Sequence, residues 1–339
     1  MYVRVPKYKG YIKKLAIFII LILSIILFTF TNKINASNYV YLGGDNIFID
    51  INTKVTVVKV NDNIKKKYNI KENDVISKVD DISINTIKDF ENIVSPLDEY
   101  KLELIRNNKK IVIKVRNNED LGFYLKDSYS VVGSLSFIKD DVFASLAHKA
   151  IDNNINGYFG KSYIGICNGY TKSNRSNVGE KYCFNSNELI GYNYINSNYG
   201  VYGKISDEMR SNITNRYKIN VGKAKIGEAF IYTSLSKNTI KTYSISINDI
   251  IYGDIKQIKF EITDSFLLDK TNGIICGMSG SPIVQDGLIV GCVSHVNVNN
   301  PKLGYALDIN KMIDEASKVS SISKIKNVGL PTFFLHLYH

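Results

Sequence analysis

From about residue 128 to residue 298 the chain is written in short segments of β-branched and apolar residues, separated by turn residues: SVVGSLSFI, DVFASLAH, SYIGICN, GVYGKI, AKIGEAFIYTSL, TYSISINDI, QIKFEITD and GLIVGCVSHVNV. Few helical stretches interrupt them. Many short strands at close spacing predict a β-barrel or sandwich, and the repeated glycines suit the bends and bulges of a closed barrel. Only residues 310–318 read as helix, and the tail ending GLPTFFLHLYH carries no assignable pattern. The expected fold class is therefore mainly β.

The first 116 residues are of a different kind. Arg4, Lys7, Lys9, Lys13 and Lys14 precede LAIFIILILSIILFTF, an uncharged apolar run over residues 15–30. That pattern is a membrane-targeting element, and the poor cleavage site in NKINAS favours an uncleaved anchor. With the basic flank held inside, everything after about residue 37 is expected across the membrane.

After this run, NIFIDI and TVVKV alternate as strands, bounded by Gly43, Gly44 and residues 52–54. A strand follows at residues 75–79, then a turn at Asp80 and Asp81, and a helix over residues 86–94 with Ile87, Phe90, Ile93 and Val94 on one face. YKLELIR and KIVIKVR form a hairpin through Asn107 and Asn108. A glycine-glycine loop entering a strand, followed by NDVISKVDDISI and a helix, resembles a PDZ domain. That resemblance implies that the amides of the Gly43–Gly44 loop receive a peptide carboxylate while the peptide adds a strand. The alternative is a small β-rich spacer.

The 339 residues, 45% of them hydrophobic, suffice for two domains with their own cores. A formal charge of +11 permits nucleic acid or an anionic surface as a partner. The lysines are nevertheless scattered among Asp, Glu and Asn with no nucleic-acid-binding signature, and they read as solvated surface. Cys167, Cys183, Cys276 and Cys292 are too few and too far apart for a disulfide scaffold or a zinc knuckle. Buried free thiols are the favoured reading; a Cys276–Cys292 or Cys167–Cys183 pair is the alternative in an exported domain. No residue pattern suggests a metal or an organic cofactor.

One stretch carries chemistry. CGMSGSPI, residues 276–283, sets Ser279 and Ser281 among glycines and closes with Pro282. A serine attacks only when a base takes its proton and donors hold the resulting oxyanion. Gly277 and Gly280 let the backbone turn tightly, so that the amides of Gly277 and Ser279 can face one small space. The loop resembles the nucleophile loop of chymotrypsin-like proteases, with Ser279 as nucleophile. The histidines available as base are His148, His295, His336 and His339.

A longer resemblance narrows that choice. VVGSLSFI with FASLAHKAID, then NYGVYGKI, then ITDSFLLDKTNGIICGMSGSPIVQDGLIVGCVSHVNVNNPKLGYAL are similar, in order, to the blocks of the stage IV sporulation protein B serine peptidases. The resemblance covers about residues 39–310. It implies a membrane anchor and basic flank over 1–37, a PDZ-like α/β domain over 38–117, a chymotrypsin-like β-barrel peptidase domain over 118–318, and a tail over 319–339. It further implies His148 as general base, Asp264 as the carboxylate that orients it, Ser279 as nucleophile, and Gly277 and Ser279 as the oxyanion hole; Asp152 is the competing carboxylate. His295 falls on a packing position, and the Lys149 cation is expected to lower the pKa of the base. The implied activity is that of a membrane-anchored serine endopeptidase of endospore formation, between the mother cell and forespore membranes. Its implied substrates are its own chain and a membrane-bound regulator of the protease that processes a sigma-factor precursor. The rival reading is an inactive PDZ and β-barrel protein that recruits membrane partners.

Overall fold

The computed structural model describes residue 19 and residues 39–116, 122–151, 157–237 and 239–327. The chain divides into residues 1–39 and residues 40–339, and the architecture below is that of the second part. The expected spanning anchor is corrected here. Among the described residues no helix is long and apolar enough to cross a membrane. The basic flank and apolar run lie outside the described residues except for residue 19, so neither an anchor nor a location across a membrane follows from the structure.

Strands dominate, as the alternation demands. In chain order they are β1 (Tyr39–Leu42), β2 (Asn46–Val60), β3 (Val75–Val79), β4 (Ile82–Ser83), β5 (Glu99–Arg106), β6 (Lys109–Arg116), β7 (Phe123–Lys139), β8 (Val142–Ser145) and β9 (Gly157–Tyr170). Then come β10 (Lys181–Ser197), β11 (Gly200–Ile205), β12 (Lys218–Val221), β13 (Gly227–Ser234), β14 (Ile240–Ile251), β15 (Gln257–Ile262), β16 (Pro282–Gln285), β17 (Leu288–Val296) and β18 (Leu303–Asp308). The helices are α1 (Asp62–Tyr68), α2 (Ile87–Val94), α3 (Asp207–Asn212), α4 (Ser265–Thr271) and α5 (Ile309–Asn327).

A separate peptidase barrel was the expectation; instead, the strands form one continuous 18-stranded hydrogen-bonded sheet. Its antiparallel pairings return on themselves twice. One circuit runs β7–β2–β9–β10–β11–β8 and back to β7. The other runs β13–β14–β15–β18–β17–β16 and back to β13. Ile47, Ile49, Leu135, Phe143 and Val201 fill the first. Ile231, Ile245, Phe260, Ile283 and Val293 fill the second. A third core lies between Phe137, Tyr202, Val284 and Leu307 and is closed by α5, whose Met312, Ala316 and Val319 recur at helical spacing. Each fully buried aliphatic or aromatic side chain contributes about 1.5–3 kcal/mol.

The two circuits are linked through β1 and β12, and a smaller unit is joined to the first circuit by β2. The two apolar stretches of β2, NIFIDI and TVVKV, read as separate strands, but residues 52–54 are not a turn. They form a register shift against β7 between Asn52 and Thr56, and pairing resumes beyond it. A bulge takes up extra residues while the strand carries on. The first half of β2 therefore belongs to the first circuit. The second half belongs to a smaller core of Val55, Val57, Ile76, Phe90, Leu102 and Val115. β1 and the first half of β2 thus pair with strands of the first circuit.

Within the small unit the local signals are placed as they read. Thr86 caps α2 in a reciprocal box with Asp89. Asn107 and Asn108 turn β5 into β6 with φ of 47° and 60°, the conformation a two-residue hairpin requires.

Gly43 and Gly44 are not in that unit. Both are buried, and their amides donate to the carbonyls of Ser136 (3.1 Å) and Leu135 (2.7 Å) on β7. Amides already committed to a strand cannot receive a peptide carboxylate, which corrects the expected peptide-binding loop.

Candidate active site

The loop from α4 to β16 carries Ser279. Gly277 and Gly280 hold φ of 92° and 90°, values that an L side chain rarely adopts. At Gly280 space decides as well as conformation, because a Cβ there would meet the Ser134 carbonyl oxygen at 2.2 Å and the Leu146 nitrogen at 2.5 Å. Main-chain bonds fasten the turn on both sides. The Ser134 amide donates to the Ser279 carbonyl at 2.7 Å, and the Gly280 amide donates to the Val293 carbonyl at 2.7 Å. Met278 is fully buried in the second core and anchors the loop from below. Ser279 remains half-exposed, whereas Ser281 is fully buried, with its hydroxyl on those of Ser134 and Thr233. The amides of Gly277 and Ser279 have no protein acceptor among the described residues.

His148 follows β8 and lies half-buried. Leu146 and Ala147, immediately before it, both hold positive φ, 68° and 56°, a strained backbone for residues with side chains. Nδ1 of His148 lies 2.7 Å from the Lys149 carbonyl. A carbonyl only accepts, so Nδ1 carries the proton and Nε2 is left with its lone pair. Burial lowers the His148 pKa, with His295 adding to the effect, while the Lys149 carbonyl opposes it. Lys149 therefore acts through its main chain and raises the pKa, the reverse of the expected charge repulsion.

Ser294 joins the two halves. Its carbonyl accepts from Ser279 Oγ at 3.3 Å, and its hydroxyl donates to the Ala147 carbonyl at 2.8 Å. Because that hydroxyl proton is used, His295 Nδ1, 2.6 Å away, must be the donor in its contact with Ser294 Oγ. The rings of His148 and His295 lie 5.3 Å apart between centroids.

Asp264 does not join this group. One carboxylate oxygen accepts from the Leu267 amide at 2.8 Å and the other from the Ser244 amide at 3.5 Å, so the side chain caps α4. Among the described residues no carboxylate is hydrogen-bonded to either imidazole, and the Lys149 carbonyl holds the place assigned to Asp264. Asp152, His336 and His339 lie outside the described residues.

Two cysteine readings also change. Cys167 and Cys183, opposed on β9 and β10, form a disulfide. Cys276, expected to be buried, is an exposed thiol; Cys292 is free and buried.

Ser134, Ser294, Thr233 and Lys181 take part in the site without having been singled out in the sequence. Ser134, Thr233 and Ser294 stood in stretches already marked, VVGSLSFI, AKIGEAFIYTSL and VSHVNV, whereas Lys181 stood in none.

A serine at the apex of a glycine turn, tied through one residue to a strained histidine segment on the same β scaffold, is equipped for acyl transfer, and the class so defined is the serine peptidases. Residues 117–313, more than half of the chain, match the family described as SpoIVB peptidase S55, and the chain belongs to that family. No curated protein matches the chain. Among solved structures, Rv3671c protease from M. tuberculosis in its active form is 13% identical, with 56% of this chain and 74% of that chain covered and a TM-score of 0.32. The thermostable serine protease AL20 from an extremophilic microorganism is 8% identical, with 57% and 91% covered and a TM-score of 0.35. Neither likeness carries an argument at those scores.

Proposed function

We propose that this serine peptidase cleaves protein chains with Ser279 as nucleophile and His148 as general base. The observation that supports this pairing best is the bridge through Ser294, which holds the Ser279 hydroxyl by its carbonyl and the segment before His148 by its hydroxyl. The His148 tautomer leaves Nε2 free to accept, and its lowered pKa keeps the ring neutral at physiological pH.

The Ser279 hydroxyl, now on the Ser294 carbonyl, turns about its Cα–Cβ bond and gives its proton to Nε2 as Oγ attacks the scissile carbonyl. The open amides of Gly277 and Ser279 then receive the oxyanion. The imidazolium returns the proton to the leaving amine, and water releases the acyl group by the same steps in reverse.

Family membership supports a role in endospore formation. It also supports two finer partners, the protein's own chain and a regulator of the protease that processes a sigma-factor precursor. The test is fluorophosphonate labelling of the full chain with mass mapping of the adduct. Label is expected on Ser279 and retained in Ser281→Ala; label absent from the parent, or retained in Ser279→Ala, overturns the assignment.

A further inference from the structure

Beneath the nucleophile turn lies a buried cation-bearing residue that the mechanism does not use. Lys181, the first residue of β10, is 5% exposed, and its Nζ donates to Asn46 Oδ1 at 2.8 Å and Thr233 Oγ1 at 3.2 Å. Thr233 Oγ1 lies 2.9 Å from Ser281 Oγ, which lies 3.0 Å from Ser134 Oγ, and Ser134 donates to the Gly277 carbonyl at 3.1 Å. Each hydroxyl has one proton to give. Because Lys181 can only donate when charged and Gly277 O can only accept, the chain has one consistent direction: Lys181 to Thr233 to Ser281 to Ser134 to Gly277.

The main chain adds a second hold on the same turn. The Lys181 amide donates to the Cys276 carbonyl at 3.1 Å. A trans peptide points its C=O and N–H in opposite directions, so this bond turns the Gly277 amide away from β10. The lysine stem also fills the space beside Gly277, where a Cβ would meet Lys181 Cδ at 3.0 Å. The peptides on both sides of Gly277 are thus oriented from Lys181, one directly and one through three buried hydroxyls.

We infer that Lys181 is a positioning residue for the oxyanion hole: its main-chain amide aims the Gly277 amide through the Cys276 carbonyl, and its side chain fixes the next peptide, at the Gly277 carbonyl, through Thr233, Ser281 and Ser134. Burial pushes the Lys181 pKa down to about 7, which fits an ammonium held by neutral oxygens alone. The inference rests on the serine-peptidase assignment of Ser279.

The experiment measures fluorophosphonate inactivation of the full chain at saturating probe, which separates the maximal rate kinact from the binding constant KI. Lys181→Met is expected to lower kinact by about 10- to 100-fold, part of the loss seen when an oxyanion donor is removed outright, with KI within about twofold. Thr233→Val, which leaves the lysine and cuts the relay, is expected to do the same, and the double variant to be no worse than the more impaired single one. Melting curves confirm which variants are folded at assay temperature, and Thr233→Val decides if Lys181→Met is not. Unchanged kinact in a folded variant, a loss confined to KI, or multiplicative losses in the double variant overturn the relay. If parent Ser279 takes no label at all, the peptidase assignment itself falls, and the inference with it.

Discussion

The imidazole rings of His148 and His295 lie 5.3 Å apart between centroids, tilted by 44°, each with a main-chain or hydroxyl oxygen at its Nδ1. Both pKa values are lowered, that of His148 by burial first and then by its neighbour, that of His295 by the burial it has. Two imidazolium ions this close repel, so the pair resists a second proton. The base needs to be neutral, and activity rises with pH as His148 loses its proton. The acid limb of kcat/KM should therefore fall below the ordinary histidine value of about 6.5. His295→Gln removes the like charge and should move that limb upward while activity is retained. A limb that stays in place in His295→Gln contradicts coupling between the rings.

The two residues expected to act together in the sequence should separate in kinetics. His148→Ala is expected to lower kcat/KM by on the order of 10⁴-fold or more, as removal of a general base does in such enzymes. Asp264→Asn, which preserves the helix cap, should change kcat/KM by less than about threefold. Asp264→Ala should cost about 1 kcal/mol of stability through the lost cap of α4. Chemical denaturation beside a protease assay distinguishes the two effects, and a large kcat loss in Asp264→Asn would restore a catalytic role.

Gly280→Ala tests the turn. The added methyl meets the Ser134 carbonyl oxygen at 2.2 Å in a backbone with φ of 90°. About 1–3 kcal/mol of destabilisation is expected from overpacking, with about 1–2 kcal/mol more from the left-handed conformation. Loss of Ser279 labelling should accompany the fall in melting temperature.

Lys181 makes a prediction about stability. Its folded pKa, about 7, lies below the usual lysine value of 10.5. Between these two values the unfolded chain binds more protons than the folded one, so stability rises with pH through that window. The slope contributed by one such group is at most about 1.4 kcal/mol per pH unit. The nearest polar partners, Asn46 and Thr233, carry no charge that could shift the window. Urea denaturation from pH 7 to 9.5 should show a steeper rise for the parent than for Lys181→Met; equal slopes would mean the lysine does not titrate there.

Much of this molecule is local and hence readable from sequence. Alternation marked most of the strands, but missed β10, β12, β16 and β18 among others. Asn107 and Asn108 marked a hairpin because asparagine tolerates positive φ, and Ile87, Phe90, Ile93 and Val94 marked a helix by their spacing. The glycines of CGMSGSPI marked a turn that only glycine can make, with Ser279 at its apex. What was misread depended on partners far along the chain. Whether residues 52–54 end a strand or bulge within it is decided by β7, about 70 residues later. Gly43 and Gly44 look like a binding loop until Leu135 and Ser136 take their amides. Asp264 has the spacing of a triad carboxylate, but its nearest donors are the amides of its own helix and of Ser244. The sequence alone thus determined most of the strands, the turn and the candidate nucleophile, because backbone propensity and glycine geometry act over a few residues. Only the tertiary structure decided which atoms meet the imidazoles and what lies beneath the turn, because those contacts join residues such as Ala147 to Ser294 and Lys181 to Gly277, which no local rule brings together.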